Sequence, residues 1–230
     1  MRALTIAGRR IADDEPCYVV AELGHNHGGS VDTALQLIGM TTRCGVDAVK
    51  LQCRTNDTLY SAALLHQSYE HESSYGRTYG EHRAALELSQ GDLVTCFAAA
   101  RGAGCAGFAT AFDEHAADRL MGLHVPAFKI HSGGLTDRPL LQHVAAFGLP
   151  VLLSTGGGTL ADIDRAVQWL GICPHAILHC TASYPLKSKE ANLRVIHTLR
   201  QRFPETVIGF SSHSPGIAFS LIAYAFGARI

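Results

Sequence analysis

Ala21-Glu22-Leu23-Gly24-His25-Asn26-His27-Gly28-Gly29-Ser30 is the stretch whose reading decides the fold. The apolar run Tyr18-Val19-Val20-Ala21 leads into it and reads as a short buried strand. The run stops at the charge of Glu22 and gives way to a turn rich in Gly, His and Asn. Ser30 then stands where a helix N-cap belongs, ahead of Ala34, Leu35, Leu37, Ile38 and Met40 at helical spacing. A carboxylate at the end of an apolar strand is costly to bury unless it is paired. In an α/β barrel, that edge of the strands is where active sites are built.

The same layout recurs along the chain. Residues 1–16 read as an N-terminal β-hairpin or plug. Strand 17–22 precedes helix 31–45, and strand 47–52 leads into a long polar insert, 53–80, that carries Tyr60, Tyr69, Tyr75 and Tyr79. Such an insert is expected to serve as a substrate lid. Helices follow at 81–88 and 90–103. Strand 106–110 then precedes helix 114–122, strand 126–131 helix 138–147, and strand 150–154 helix 160–170. Strand 175–180 precedes a loop and helix 191–202; strand 206–211 precedes helix 216–226; Ala228-Arg229-Ile230 begins an eighth strand. Short apolar strands alternating with amphipathic helices imply a parallel sheet with right-handed crossovers. The expected fold is therefore α/β, a (β/α)8 TIM barrel cut at the start of its eighth strand, over residues 17–230. A doubly wound open sheet is the alternative. No Gly-x-Gly-x-x-Gly follows the first strand, which weakens a dinucleotide-binding reading.

Composition narrows the function. A chain of 230 residues fits one domain with a sizeable core. The formal net charge of −1 and the absence of a basic cluster argue against nucleic acid as a partner. No apolar run spans a membrane, and the first ten residues lack the apolar core of a signal peptide. The seven cysteines include no Cys-x-x-Cys pair, so reduced core thiols in a cytoplasmic protein are expected. Of the 19 basic residues only Lys50, Lys129, Lys187 and Lys189 are lysines, and the first two fall at strand-like positions.

The C-terminal ends of the strands yield the candidate residues: Glu22 with Asn26 and His27; Lys50 and Gln52 on one strand face; Thr110; Lys129 followed by Ser132; Ser154; Tyr184; and Ser211 followed by His213. Two lysines with Ser132, Ser154 and Ser211 can form an anion cage for a small phosphorylated or carboxylated molecule. The competing reading of each lysine is a buried ion pair with a neighbour such as Glu22. His213, in a Ser/Pro/Gly loop, is a candidate metal ligand or acid/base, or else surface decoration. His25 and His27 are weak metal candidates, and His175 and His179 should not converge on a strand. His66, His71, His115, His124, His143 and His197 are expected to be solvated.

Several of these motifs, in order, resemble the sialic acid synthase family, which condenses phosphoenolpyruvate with N-acetylmannosamine or a related sugar. The matching stretches are Ala21–Gly29, Val49-Lys50-Leu51-Gln52, Thr78-Tyr79-Gly80-Glu81-His82-Arg83, Phe128-Lys129-Ile130-His131-Ser132-Gly133, Leu153-Ser154-Thr155-Gly156, Cys180–Leu186 and Ile208–His213. The resemblance implies that Lys50, Lys129, Ser132, Ser154 and Ser211 hold phosphoenolpyruvate and that Gln52, Tyr184 and Asn26 face the ligands. It implies Glu22 as the acid/base carboxylate and His213 as a catalytic residue that ligates Mn2+ or Mg2+, with the second ligand outside this chain. It also implies a homodimer.

The sequence departs from the family pattern at His131, where glycine is usual, at Gly134, where an acidic residue is usual, and at Ser212, where aspartate is common. The family's second metal-binding His and its C-terminal antifreeze-like domain are expected beyond Ile230 and are absent from these residues. The expected function is a transferase forming a carbon–carbon bond between phosphoenolpyruvate and an amino-sugar aldehyde. The alternatives are a catalytically weak phosphoenolpyruvate-binding homologue, or a condensing enzyme for another sugar or a nucleoside-derived aldehyde.

Overall fold

A computed structural model describes residues 2–230. In chain order the elements are β1 (Ala3–Ile6), β2 (Arg9–Ala12), β3 (Val20–Glu22), α1 (Val31–Arg43), β4 (Ala48–Cys53), α2 (Asn56–Leu59), α3 (Ala62–Leu65), α4 (Tyr79–Leu86) and α5 (Gln90–Gly102). There follow β5 (Ala106–Ala111), α6 (Glu114–Gly122), β6 (Phe128–Ile130), α7 (Arg138–Ala146), β7 (Val151–Ser154), α8 (Leu160–Leu170), β8 (His175–Cys180), α9 (Val195–Arg202), β9 (Val207–Ser211) and α10 (Ala218–Ala225). The chain forms two compact units, Val20–Val125 and a second made of the segment up to Val19 with Pro126–Ile230.

In the unit Val20–Val125, β3, β4 and β5 pair parallel in chain order. Glu22 stands opposite Lys50, and Gln52 opposite Thr110. All six residues of β5 are buried, as expected of a parallel strand covered on both faces. Gly107 is required there, because a Cβ would lie 2.9 Å from the Phe97 ring. The helices begin where the sequence places caps: the Ser30 hydroxyl accepts from Thr33 N at 3.2 Å, and Ser89 and Asp92 form a capping box on α5. Asp113 caps α6 through Oδ1 and accepts from Thr55 N through Oδ2 at 2.7 Å, so one carboxylate ties the end of β4 to the start of α6. Ile38, Leu51, Leu93, Phe97, Phe108 and Leu120 form the core.

In the other unit, β1 and β2 form the antiparallel hairpin read from residues 1–16. Asp13, just after it, accepts from Arg200 at 2.8 and 3.0 Å and from Arg2 at 3.1 Å, fixing the hairpin to α9. Strands β6, β7, β8 and β9 pair parallel in chain order. The last residues continue this ladder: Arg229 N donates to Ile208 O and Ile230 O accepts from Phe210 N, each at 2.8 Å. On their other side Arg229 O accepts from Tyr18 N at 2.8 Å. The segment 228–230 is thus hydrogen-bonded both to β9 and to Tyr18, without itself being a strand.

Most element ends shift by one or two residues from the sequence reading, and three differences are larger or more informative. The first parallel strand starts at Val20 rather than 17. The helix expected over 191–202 starts at Val195, because a single 3-10 turn (Ser188–Glu190) precedes it and Asn192 sits at φ +45°. The insert 53–80 contains α2, α3 and an antiparallel bridge from Ser68 to Thr78, with Tyr69 and Tyr60 packed edge-on against Tyr79. Among the described residues no helix is long and apolar enough to cross a membrane.

Candidate functional site

Strand alternation puts Lys50 and Gln52 on one face of β4 and Leu51 and Cys53 on the other. The Lys50 ammonium is buried and donates to Thr110 Oγ1 at 2.6 Å and to Leu51 O at 3.3 Å. Glu22 Oε2 lies 2.5 Å away. Burial pushes the Lys50 pKa down, and the Glu22 carboxylate pushes against that fall. Glu22 itself is half-exposed, and its Oε1 accepts from Gly24 N at 3.0 Å. Gly24 holds φ +53°, and a Cβ there would lie 3.5 Å from Gln52 Nε2 and 3.6 Å from Glu22 Oε1. The amide and the carboxylate therefore converge on one bare α-carbon.

The turn beyond is fixed from within. His27 is buried, and its Nδ1 accepts from Gly29 N at 3.0 Å. Burial first, and the nearby His25 second, hold the His27 pKa below its usual value. Gly29 touches the Ala85 carbonyl and has no room for a side chain. Asn26 is exposed, and its backbone N–H donates to Leu23 O at 3.0 Å.

The second unit repeats the lysine arrangement. Lys129 Nζ donates to Ile130 O at 3.0 Å and to the Ser154 hydroxyl. In both units the lysine donates to the carbonyl of the next residue and to a hydroxyl on the neighbouring strand. That hydroxyl lies two residues past the lysine's register partner: Phe108 then Thr110 for Lys50, Leu152 then Ser154 for Lys129. Ser132 Oγ accepts from Gly156 N at 3.0 Å, and a Cβ on Gly156 would collide with it at 2.8 Å. Ser211 ends β9, half-buried.

His213 is engaged at both ring nitrogens. Nδ1 lies 2.9 Å from Thr181 O and Nε2 2.9 Å from the Tyr184 hydroxyl, with the two rings 4.1 Å apart. A carbonyl only accepts, so Nδ1 carries the hydrogen and Nε2 accepts from Tyr184. Tyr184 is exposed and precedes a cis peptide bond to Pro185. His179 is buried and donates from Nε2 to Ala191 O at 2.8 Å, whereas His175 is bound to Cys173 O; the two do not converge. Among the described residues no group of three His, Cys, Asp or Glu side chains is placed to hold a metal ion. His213 offers one nitrogen, so the residues present do not by themselves fit a divalent cation.

Sequence reasoning placed Thr110 at a strand end but gave it no role, and passed over Arg54 and Glu87. Arg54 is buried with its guanidinium 4.1 Å from the Phe112 ring centroid, and its Nη1 is 3.3 Å from Glu87 Oε1. The signal for Arg54 was parity: it continues the 50, 52, 54 face of β4.

Residues 37–230 match the NeuB family. The chain belongs to that family. Its relatives include N-acetylneuraminate-9-phosphate synthase of Mus musculus, 35% identical over 97% of this chain and 63% of that protein. N,N'-diacetyllegionaminic acid synthase of Legionella pneumophila is 33% identical over 93% of this chain and 62% of that protein. The chain thus spans less than two thirds of the length of these relatives. Among solved structures, N-acetylneuraminic acid (sialic acid) synthetase from Leptospira borgpetersenii, in complex with citrate, superposes with a TM-score of 0.87 at 29% identity, covering 100% of this chain and 76% of that one.

Proposed function

We propose that this chain condenses phosphoenolpyruvate with an N-acetylmannosamine-like amino-sugar aldehyde, giving a sialic-acid-type nonulosonic acid and phosphate. The observation that carries the proposal is the repeated lysine–hydroxyl station, Lys50 with Thr110 and Lys129 with Ser154. A buried ammonium beside a hydroxyl is suited to an anionic oxygen such as those of the carboxylate and phosphate of phosphoenolpyruvate. The names of two relatives, an N-acetylneuraminate-9-phosphate synthase and an N,N'-diacetyllegionaminic acid synthase, support the same class of product.

In this reading the methylene carbon of phosphoenolpyruvate attacks the aldehyde carbon, and the aldehyde oxygen takes up a proton to become a hydroxyl. Positive charge develops at the enol carbon. The half-exposed Glu22 carboxylate, oriented by Gly24 N, stabilises that charge and takes a proton from the water that adds there. The resulting tetrahedral carbon expels phosphate and becomes the ketone. Gln52, Asn26, Tyr184 and His213 serve the acceptor, and Ser132 and Ser211 the phosphoenolpyruvate.

The test is phosphate release from phosphoenolpyruvate with a panel of aldoses that includes N-acetylmannosamine and its 6-phosphate. Release that depends on one amino sugar, with a nonulosonic acid found by mass spectrometry, is expected. Phosphoenolpyruvate binding without release across the whole panel would overturn the reading.

A further inference from the structure

Arg54 is a buried cation that the condensation leaves without a task. Its side chain is 2% exposed, it stacks on Phe112, and its Nη2 donates to Gln52 Oε1. Glu87 Oε1 lies 3.3 Å from Arg54 Nη1 and 3.4 Å from His25 Nε2, so one carboxylate stands between the two. Neither approach is a well-formed hydrogen bond, and these buried atoms, with Arg54 Nε, otherwise lack a partner. The hydrogen bond to Gln52 is therefore the one side-chain bond that Arg54 completes among the described residues. A guanidinium has donors only, so it dictates which end of the amide faces it. The Gln52 oxygen must turn toward Arg54, and the Nε2 hydrogens must turn away, to the side where Gly24 and Glu22 converge.

We propose that Arg54 is a positioning residue that locks the Gln52 amide with its N–H pair toward the acceptor, so that this position recognises a hydrogen-bond-accepting oxygen of the sugar. The inference rests on the reading of Gln52 as a group that faces the acceptor. Glu87 and Phe112 hold the guanidinium charge where burial alone would disfavour it. Without Arg54 the amide is free to turn its oxygen inward and repel the same sugar oxygen.

The experiment uses the full chain labelled with 15N in glutamine side chains, with the Gln52 amide pair identified by its loss in Gln52→Leu. Arg54→Met keeps length and packing without the donors; Arg54→Lys keeps the charge and one donor. Expected are a displaced or broadened Gln52 amide pair in Arg54→Met and a rise of roughly tenfold or more in KM for the acceptor, the scale of one charge-assisted hydrogen bond. KM for phosphoenolpyruvate should stay within about twofold, and Arg54→Lys should recover part of both signals. An Arg54→Met protein with the parent amide resonance and acceptor KM overturns the proposal. If Arg54→Met does not fold, Arg54→Lys decides by the same two readouts, an unchanged resonance and KM again counting against it. Should the parent enzyme turn over no acceptor, the condensation reading fails, while the amide resonance still shows whether Arg54 orients Gln52.

Discussion

Glu22 Oε2 and Lys50 Nζ face each other at 2.5 Å across the β3–β4 pair, at directly opposed positions. The sequence had offered these as rival readings, a lysine for an anionic ligand or a lysine in an ion pair. The chain realises the ion pair, and the pair is asymmetric. Lys50 is 5% exposed and Glu22 52% exposed, so in the proposed reading the carboxylate, and not the lysine, is the partner that gives way to an incoming anion.

The first prediction follows from that competition. Glu22→Gln removes the rival charge and the acid/base group together. Affinity for phosphoenolpyruvate should be retained or improved, while turnover falls by at least about 100-fold, the lower range for a general acid–base group. Calorimetry and phosphate release measure the two. A variant that still turns over at the parent rate rules out the role given to Glu22.

A second prediction concerns acid stability. Burial, with His25 nearby, holds the folded His27 pKa below its usual 6.5, and burial does the same for His179. As pH falls through about 6.5, the unfolded chain takes up protons that the folded chain refuses. Stability should therefore decline below that pH and show no contribution from these groups well above it. In His27→Asn, whose side-chain oxygen can replace Nδ1 as acceptor for Gly29 N, the decline should be shallower. Urea midpoints from pH 7.5 to 5 test this; the same slope in both proteins would contradict it.

The cysteines give a third. All seven are free thiols, Cys44 is exposed, and burial pushes Cys53 and Cys96 up to about 11. Native alkylation at pH 8 should modify Cys44 rapidly and leave Cys53 and Cys96 intact until the chain is unfolded. Peptide mass spectrometry reads the order, and early modification of Cys53 would contradict the packing around β4.

What the sequence could and could not tell follows from periodicity. Period-two alternation showed that Lys50 and Gln52 share a face, and the capping residue Ser30 marked a helix start. The register of β4 on β5 left no trace in local sequence, so Thr110 was seen as a strand end and not as the hydroxyl on Lys50. Arg54 and Glu87 are joined only by folding. Asn192 at positive φ delayed α9 to Val195 against a sequence pattern that reads helical from 191. Three residues, 228–230, were enough to suggest the start of a strand but too few to show that Arg229 bonds to both Ile208 and Tyr18.

The central claim is that two lysine–hydroxyl stations recognise phosphoenolpyruvate, and its most direct test is calorimetric titration of that compound into the parent, Lys50→Met and Lys129→Met proteins, each first shown to be folded. Each substitution should weaken binding by about 1.5–3 kcal/mol, roughly 10- to 150-fold, the worth of a hydrogen bond to a charged group. Parent-like affinity in both variants would contradict the account.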